Sequence, residues 1–384
     1  MATTRAGRYE RQSGGYTAFI PAGLPPDLRL TPDLLALASK ADLALGRLDG
    51  AIAVLPDPDL FVLQYVRREA VLSSQIEGTH ASLMDVLEFE AQQEEATERS
   101  VEVAEIINYI LAMDLGLTRL GELPISRRLL CEVHARLMKD VRGGEPHKTP
   151  GEFRRDQNWI GGSSPATARF VPPPPELVGE RFADLENFLH SPEPMPALMK
   201  AGIAHAQFET IHPFLDGNGR TGRLLITFWL VERAILTKPL LYMSLHFKEH
   251  KDEYINRLQA IRDEGDWESW LAFFLDGVAM VAAEATNTAL AILELRERDR
   301  ASMGSTLGRR SGNALTLLDH LFSHPVVTVK TVQNRLGVSQ PTASALVDDL
   351  VDLKILREMT GKRRNRRFVY GDYLGLFHGA DSRE

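Results

Sequence analysis

The chain is 384 residues long, enough for two or three domains and ample core. Its 44% hydrophobic and 25% charged content is ordinary for a soluble globular protein. A net charge of −8 excludes a chain that coats nucleic acid throughout and leaves room for a local basic patch, and the single cysteine, Cys131, excludes an intramolecular disulfide.

Residues 1–30 are polar and then proline-rich (Pro21, Pro25, Pro26), which predicts an extended wrap over the surface. Thr31-Pro32-Asp33 is a helix start with proline in the first turn. One helix runs from there to about Leu55, and a second from Pro58 to about Glu77. The second closes on Ser73-Ser-Gln-Ile-Glu77-Gly78, with Gly78 as the expected C-cap. Taken alone, Glu77 reads as a solvated carboxylate. Helical patterns continue over 98–116, 126–139, 176–190 and 195–211. Cys131 lies on one of them, among Leu129, Leu130, Val133 and Leu137, and reads as core rather than nucleophile. Gly, Pro and Ser break the rhythm over 141–175. Within that break, 158–171 reads as a β-hairpin with a loose turn over 161–167, against the bland alternative of a surface loop.

Chemistry concentrates in residues 205–223, His-Ala-Gln-Phe-Glu-Thr-Ile-His-Pro-Phe-Leu-Asp-Gly-Asn-Gly-Arg-Thr-Gly-Arg, a glycine-rich turn between two apolar helices. Gly217 and Gly219 allow a tight turn and close approach of a ligand to the main chain. A helix starting near Asn218 presents free N–H groups and the positive end of its dipole to an anion. Arg220 and Arg223, three apart, share one side of its first turn and suit a polyphosphate. Asp216 is placed to hold Mg2+ together with phosphate oxygens. His212 is the nearby group able to take a proton near neutral pH.

Rival readings of the same stretch are weaker. Gly217 to Gly222 fits Gly-x-Gly-x-x-Gly, but a helix precedes it where a dinucleotide site needs a strand. His205, Glu209 and His212 share a helical face and are a candidate zinc set, although Pro213 ends the helix beside them. The bland alternative is a well-capped turn with surface arginines.

Downstream, a helix over 246–264 carries Tyr254, by itself an aromatic equally suited to the core, and Trp267 opens a long helix. The apolar run over 270–295 is interrupted by Asp276 and Glu284 and reads as amphipathic rather than membrane-spanning. The N-terminus lacks an apolar signal core, so a cytoplasmic protein without membrane contact is expected. Residues 300–311 read as a linker. After a helix over 314–322, residues 328–350 read as helix-turn-helix, with a Gly337 turn, a Ser339 cap and Pro341 just inside. Wing strands over 355–360 and 368–370 flank Gly361-Lys-Arg-Arg-Asn-Arg-Arg367. Arg363 and Arg364 suit phosphate contacts, and Gln340, Thr342 and Ser344 are candidates for base edges. Asp348, Asp349 and Asp352 on the same helix oppose DNA, and leave a protein-docking or dimer-supporting wing as the rival.

His212-Pro-Phe-Leu-Asp-Gly-Asn-Gly-Arg-Thr-Gly-Arg223 resembles the signature of Fic-domain proteins, His-Pro-Phe-x-Asp/Glu-Gly-Asn-Gly-Arg-x-x-Arg. That resemblance implies transfer of AMP from ATP to a hydroxyl of a target protein. It implies His212 as base, Asp216 as Mg2+ ligand, and the loop Gly217, Asn218, Gly219, Arg220, Thr221, Gly222 and Arg223 as nucleotide cradle. Ser73-x-x-x-Glu77-Gly78 looks like the family's inhibitory motif, whose Glu pairs with the second signature arginine, here Arg223. The resemblance also implies that Tyr254 helps hold adenine. It makes the segment at Ile160 and Gly161 a flap that holds the target by strand addition.

The expected fold is mainly α: a Fic-type helical bundle with a β-hairpin flap, plus a C-terminal winged helix-turn-helix. The expected domains are an N-terminal helical region over 1–95 with the inhibitory motif, a catalytic core over 96–300 and the winged helix over 301–384. The expected function is a self-inhibited protein adenylyltransferase using ATP and Mg2+ on a Ser, Thr or Tyr hydroxyl, with removal of AMP as a second activity. The rivals are a nucleotide-sensing, DNA-binding transcription regulator and, less favoured, a metal-dependent phosphoesterase. Self-pairing into a homodimer is compatible with the chain, though no stretch marks it.

Overall fold

The computed structural model describes residues 3–55, 57–91, 100–192, 194–361 and 366–377. The chain starts with β1 (Thr3–Thr4), β2 (Gly7–Arg11) and β3 (Thr17–Pro21). Helices α1 (Pro32–Ala53), α2 (Pro58–Ile76), α3 (Leu83–Ala91), α4 (Val101–Leu120) and α5 (Arg127–Leu137) follow. Next come α6 (Pro175–His190), α7 (Ala197–Ile211), α8 (Asn218–Glu232), α9 (Ser244–Glu249), α10 (Lys251–Glu264) and α11 (Trp267–Thr306). The last part holds α12 (Ser311–Ser323), β4 (Val326–Thr328), α13 (Val329–Leu336), α14 (Gln340–Asp352), β5 (Arg357–Glu358), β6 (Arg367–Val369) and α15 (Gly371–Gly375). The chain forms two compact units, one of residues 1–49, 69–80 and 104–283, the other of 50–68, 81–103 and 284–384.

The first unit is built on α7 and α8, whose apolar residues face inward all round. Ile203, Ala206, Phe208 and Ile211 on α7 and Leu224, Phe228 and Leu230 on α8 are fully buried. A helix apolar on every side belongs at the centre of a bundle, and α5, α6 and α11 supply its surroundings. The Trp270 indole N–H of α11 donates to the Gly202 carbonyl of α7 at 2.9 Å. By length and apolarity α11 passes the test for a membrane span, yet half of its most apolar window is buried within the protein. Trp270, Leu271, Phe274, Leu275 and Val278 are among the buried residues.

Residues 3–21, part of the expected surface wrap, depart from it. They form an antiparallel sheet in the order β1-β2-β3, registered Tyr9 to Phe19 and Arg8 to Ile20. The reason is the short apolar run Ala18-Phe19-Ile20, which is buried and gives one face of the sheet a core to sit on. The main chain of β3 continues the pairing, as the Phe19 N–H donates to the Val171 carbonyl at 2.9 Å.

The segment expected to be a hairpin holds one β-bridge, Ile160 to Phe170. Left-handed residues follow at once at Gly161 and Gly162, and a turn closes from Thr167 N–H to the Ser164 carbonyl, so the ladder stops after one pair. The helix expected over 246–264 is two helices, broken at His250.

In the second unit β4, β6 and β5 form an antiparallel sheet beside α12, α13 and α14, a winged helix-turn-helix. Gly337 turns left-handed after α13, and Ser339 caps α14 by accepting the Thr342 N–H. The expected linker over 300–311 is instead mostly helix: α11 runs to Thr306 and a 3-10 turn, Gly308–Arg310, leads into α12. Its polar residues lie on the solvated side of a helix held by the buried Met303 and Leu307. The wing strand expected over 355–360 is reduced to Arg357–Glu358. Arg363 and Arg364 lie outside the described residues.

Candidate active site

Helix α7 ends on His212, which adopts a left-handed conformation at φ 50° and donates its N–H to the Phe208 carbonyl. For a residue other than glycine that conformation needs support. Arg154 supplies it. Its Nε donates to the His212 carbonyl at 2.9 Å, its Nη2 to the Pro173 carbonyl at 2.5 Å, and its backbone N–H to the Pro213 carbonyl at 2.9 Å.

The following turn is stapled by Asn218. Its Oδ1 accepts the Phe214 N–H at 2.9 Å and its Nδ2 donates to the Phe214 carbonyl at 2.8 Å. Asn158 donates to the same carbonyl at 2.8 Å. His134 holds the other side. Its Nδ1 accepts the Gly151 N–H, so its Nε2 carries the proton and donates to the Asp216 carbonyl at 2.9 Å. The ring stacks on Phe214 at 3.7 Å, and burial lowers its pKa to about 4, keeping that tautomer neutral.

Gly217, at φ 73°, is the N-cap of α8, and no side chain caps the helix. The free N–H groups of its first turn therefore face the loop. Thr221 and Gly222 lie behind them. The Thr221 hydroxyl donates back to the Gly217 carbonyl at 2.9 Å, and the Gly222 carbonyl accepts from His205 Nδ1 at 2.9 Å. Arg220 is buried, reaches Met138 Sδ at 3.5 Å, and leaves its Nε without a partner. An unpaired buried guanidinium donor beside an uncapped helix start has the chemistry to receive an anion.

Arg223 is committed. Its Nε donates to Ser73 Oγ at 2.8 Å, and its Nη2 to the Ser73 carbonyl at 3.0 Å and to Glu77 Oε1 at 2.8 Å. Gly78, at φ 94°, ends this segment just after Glu77. Burial acts to raise the Glu77 carboxyl, but Arg223 and Arg220 more than offset it and hold the pKa below its usual value. The Arg223 guanidinium is shifted upward, its burial outweighed by Glu77. Gly219 makes room for the pair: a Cβ there would fall 2.3 Å from Glu77 Oε1.

The His212 side chain is 16% exposed, with its Nδ1 buried and unpartnered, 3.9 Å from Glu209 Oε2. Burial, then the charges of Arg154 and Arg262, lower its pKa to about 3, so the imidazole is neutral near pH 7. Glu209 is pushed the other way by burial, to about 7.

Asp216 accepts the Gly217 N–H at 2.7 Å through Oδ1 and pairs with Lys148 Nζ at 2.9 Å through Oδ2. Burial acts to raise this carboxyl, but Lys148 and the Gly217 N–H outweigh it and the pKa sits below its usual value. Among the described residues no cluster of three or more His, Cys, Asp or Glu is arranged to hold a metal. One half-exposed carboxylate beside an anion cradle nevertheless fits Mg2+, which takes one or two carboxylates and completes its shell with phosphates and water.

The rivals fare differently. A helix, α7, leads into the Gly-x-Gly-x-x-Gly stretch, which removes the dinucleotide reading. The zinc set is broken because both ring nitrogens of His205 are occupied, Nδ1 by the Gly222 carbonyl and Nε2 by the Tyr254 hydroxyl at 3.0 Å. Tyr254 is buried, and its ring packs on Phe247 at 4.4 Å. Ile160 and Gly161 sit at the flap's bridge, next to Trp159, which is 40% exposed. Sequence reasoning missed Arg154, His134 and Lys148, which serve the loop from the segment between α5 and α6 or from α5 itself.

Comparison with known proteins finds matches along most of the chain. Residues 35–118 match the Fic/DOC family N-terminal model, 124–230 the Fic/DOC family model, and 315–368 a model described as HTH DNA binding domain. Protein adenylyltransferase Fic of Drosophila virilis is 32% identical over 44% of this chain and 33% of its own length. Its counterpart in Drosophila persimilis is 33% identical over 44% of this chain and 31% of its own length. The chain thus spans about a third of the curated relatives it matches. A solved Fic family protein from Desulfovibrio desulfuricans shares the fold at a TM-score of 0.56 and 18% identity, over 90% of this chain and 98% of that one. Two stretches of the chain, 35–118 and 124–230, are thus similar to the two parts of the Fic/DOC family.

Proposed function

We propose that the chain is a protein adenylyltransferase that moves AMP from ATP to a Ser, Thr or Tyr hydroxyl of a target protein, restrained by the Glu77–Arg223 pair. One observation carries the reading. A single loop joins an imidazole neutral at pH 7, a buried guanidinium with a free Nε, and an uncapped helix start. The names of the Drosophila relatives support it.

In this reading His212 takes the proton of the target hydroxyl as its oxygen bonds to the α-phosphorus. The bond from that phosphorus to the bridging oxygen of the β-phosphate breaks, and pyrophosphate leaves with the electron pair. Asn218, Gly219 and Arg220 at the start of α8 receive the phosphates, and Arg223 would add a bidentate donor for the γ-phosphate once released from Glu77. Mg2+ bound by Asp216 would neutralise charge on the phosphates. Tyr254 closes the adenine side, and Ile160 and Gly161 pair with the target's main chain. With Arg223 held, ATP binds without its α-phosphorus in line. The same Glu77 can position water against an AMP ester, so removal of AMP is included in the proposal. We assign residues 1–95 to restraint, 96–300 to catalysis and 301–384 to a winged-helix module, in a cytoplasmic protein.

Incubation with α-labelled ATP and Mg2+ tests this: label should appear on the protein itself or a target, rise in Glu77→Gly and vanish in His212→Ala. A second reading, a nucleotide-sensing DNA-binding regulator, is favoured by the helix-turn-helix match and by exposed Gln340 and Thr342 at the start of α14. Ser344 is half-buried. Against it, Arg366 pairs with Asp348 at 3.4 Å and Arg310 with Asp349 at 2.5 Å, so the helix neutralises nearby cations. That reading gains if His212→Ala leaves the biological phenotype intact while removal of the wing's charges erases it.

A further inference from the structure

Both oxygens of the Asp216 carboxylate are engaged by this chain. Oδ1 accepts the Gly217 N–H at 2.7 Å, and Oδ2 carries the Lys148 ammonium at 2.9 Å. Lys148 ends a 3-10 turn, Pro146–Lys148, whose closing bond runs from its N–H to the Glu145 carbonyl at 2.8 Å. The preceding backbone is pressed against the same carboxylate: a Cβ on Gly143 would fall 2.5 Å from Asp216 Oδ2. The lysine is therefore delivered by a fixed turn, not by a free side chain sampling the surface.

An ammonium and a divalent cation ask the same thing of Oδ2, a lone pair and a negative charge. Two cations on one oxygen repel, so they exclude each other. A second carboxylate stands ready for the displaced lysine, since Glu145 Oε2 is 3.9 Å from Nζ. Exchange therefore leaves no ammonium unpaired.

We infer that Lys148 is a built-in occupant of the cation seat at Asp216, which a divalent ion gains only by displacing it. It is a restraint separate from Glu77, because it acts on the metal carboxylate and leaves Arg223 untouched. The inference rests on Asp216 being the cation ligand of the proposed reaction. The Lys148 and Asp216 side chains are 33% and 39% exposed, so the pair has the modest strength of a half-solvated salt bridge.

Binding of Mn2+ alone to the full chain, read by water-proton relaxation, tests displacement without catalysis. Lys148→Met should tighten Mn2+ binding by about two- to fivefold, the worth of such a pair. Arg155→Gln removes an equal charge at an 82% exposed side chain and should leave the affinity close to wild type. An unchanged affinity in Lys148→Met, or an equal gain in Arg155→Gln, overturns the inference. Asp216→Asn tests the premise: the gain should disappear in the Lys148→Met, Asp216→Asn double variant. Mn2+ binding that survives Asp216→Asn undiminished would instead remove Asp216 as the cation ligand.

Discussion

Arg223 and Glu77 lie 146 residues apart in the chain and meet at 2.8 Å. The pair is lopsided: the arginine side chain is 1% exposed and the glutamate 39%. The carboxylate can therefore be withdrawn toward solvent while the guanidinium stays in place, held by Ser73. Under the proposed restraint, such a contact would open from the glutamate side.

Glu77→Gly should accordingly release Arg223 without unfolding the bundle. Loss of one charge-assisted hydrogen bond predicts a rise in α-label incorporation on the order of tenfold to a hundredfold. Initial rates at saturating ATP and Mg2+ check this, with melting temperature as the control for folding.

Asn218 staples the loop through both ends of its amide, and Phe214 supplies both partners. Asn218→Ala leaves a buried N–H unpaired and should cost about 1–3 kcal/mol of stability. Denaturant unfolding at neutral pH measures it, and a midpoint equal to wild type would contradict the staple.

Glu69 is buried on α2, where the Tyr109 hydroxyl donates to it at 3.0 Å and the Ser244 hydroxyl at 2.6 Å. Burial pushes its pKa up to about 7, against which those hydroxyls and Arg223 pull only partway. The sign follows from linkage: between about 4.5 and 7 the folded state binds more protons than the unfolded state, so stability falls as pH rises. Glu69→Gln has no proton to lose. Its melting temperature relative to wild type should therefore climb by a few degrees from pH 5 to pH 8. A difference independent of pH would contradict the assignment.

Much of this arrangement was legible in the sequence because it is local. The path from α7 through His212 to α8 is set by apolar periodicity, Pro213 and Gly217, all within nineteen residues. The helix-turn-helix was legible for the same reason, through Gly337 and the Ser339 cap. What supports the loop was not. Arg154 reaches the His212 carbonyl across 58 residues, Lys148 reaches Asp216 across 68, and His134 reaches the Asp216 carbonyl across 82. Two of these bonds end on backbone carbonyls, which carry no residue identity for a pattern to find. The N-terminal sheet was hidden because one buried run, Ala18-Phe19-Ile20, outweighs the polar and proline-rich residues around it. In residues 300–311 a polar composition looked like a linker, whereas α11 runs on to Thr306 through a few buried contacts.

The central claim is that one loop presents ATP to a hydroxyl with His212 as the base. Mass spectrometry of the Glu77→Gly protein after incubation with ATP and Mg2+, with and without a second His212→Ala change, tests it most directly. The account predicts an AMP ester on a Ser, Thr or Tyr side chain of the single variant and none in the double variant. An ester that persists without His212, or a phosphate added in place of AMP, would contradict it.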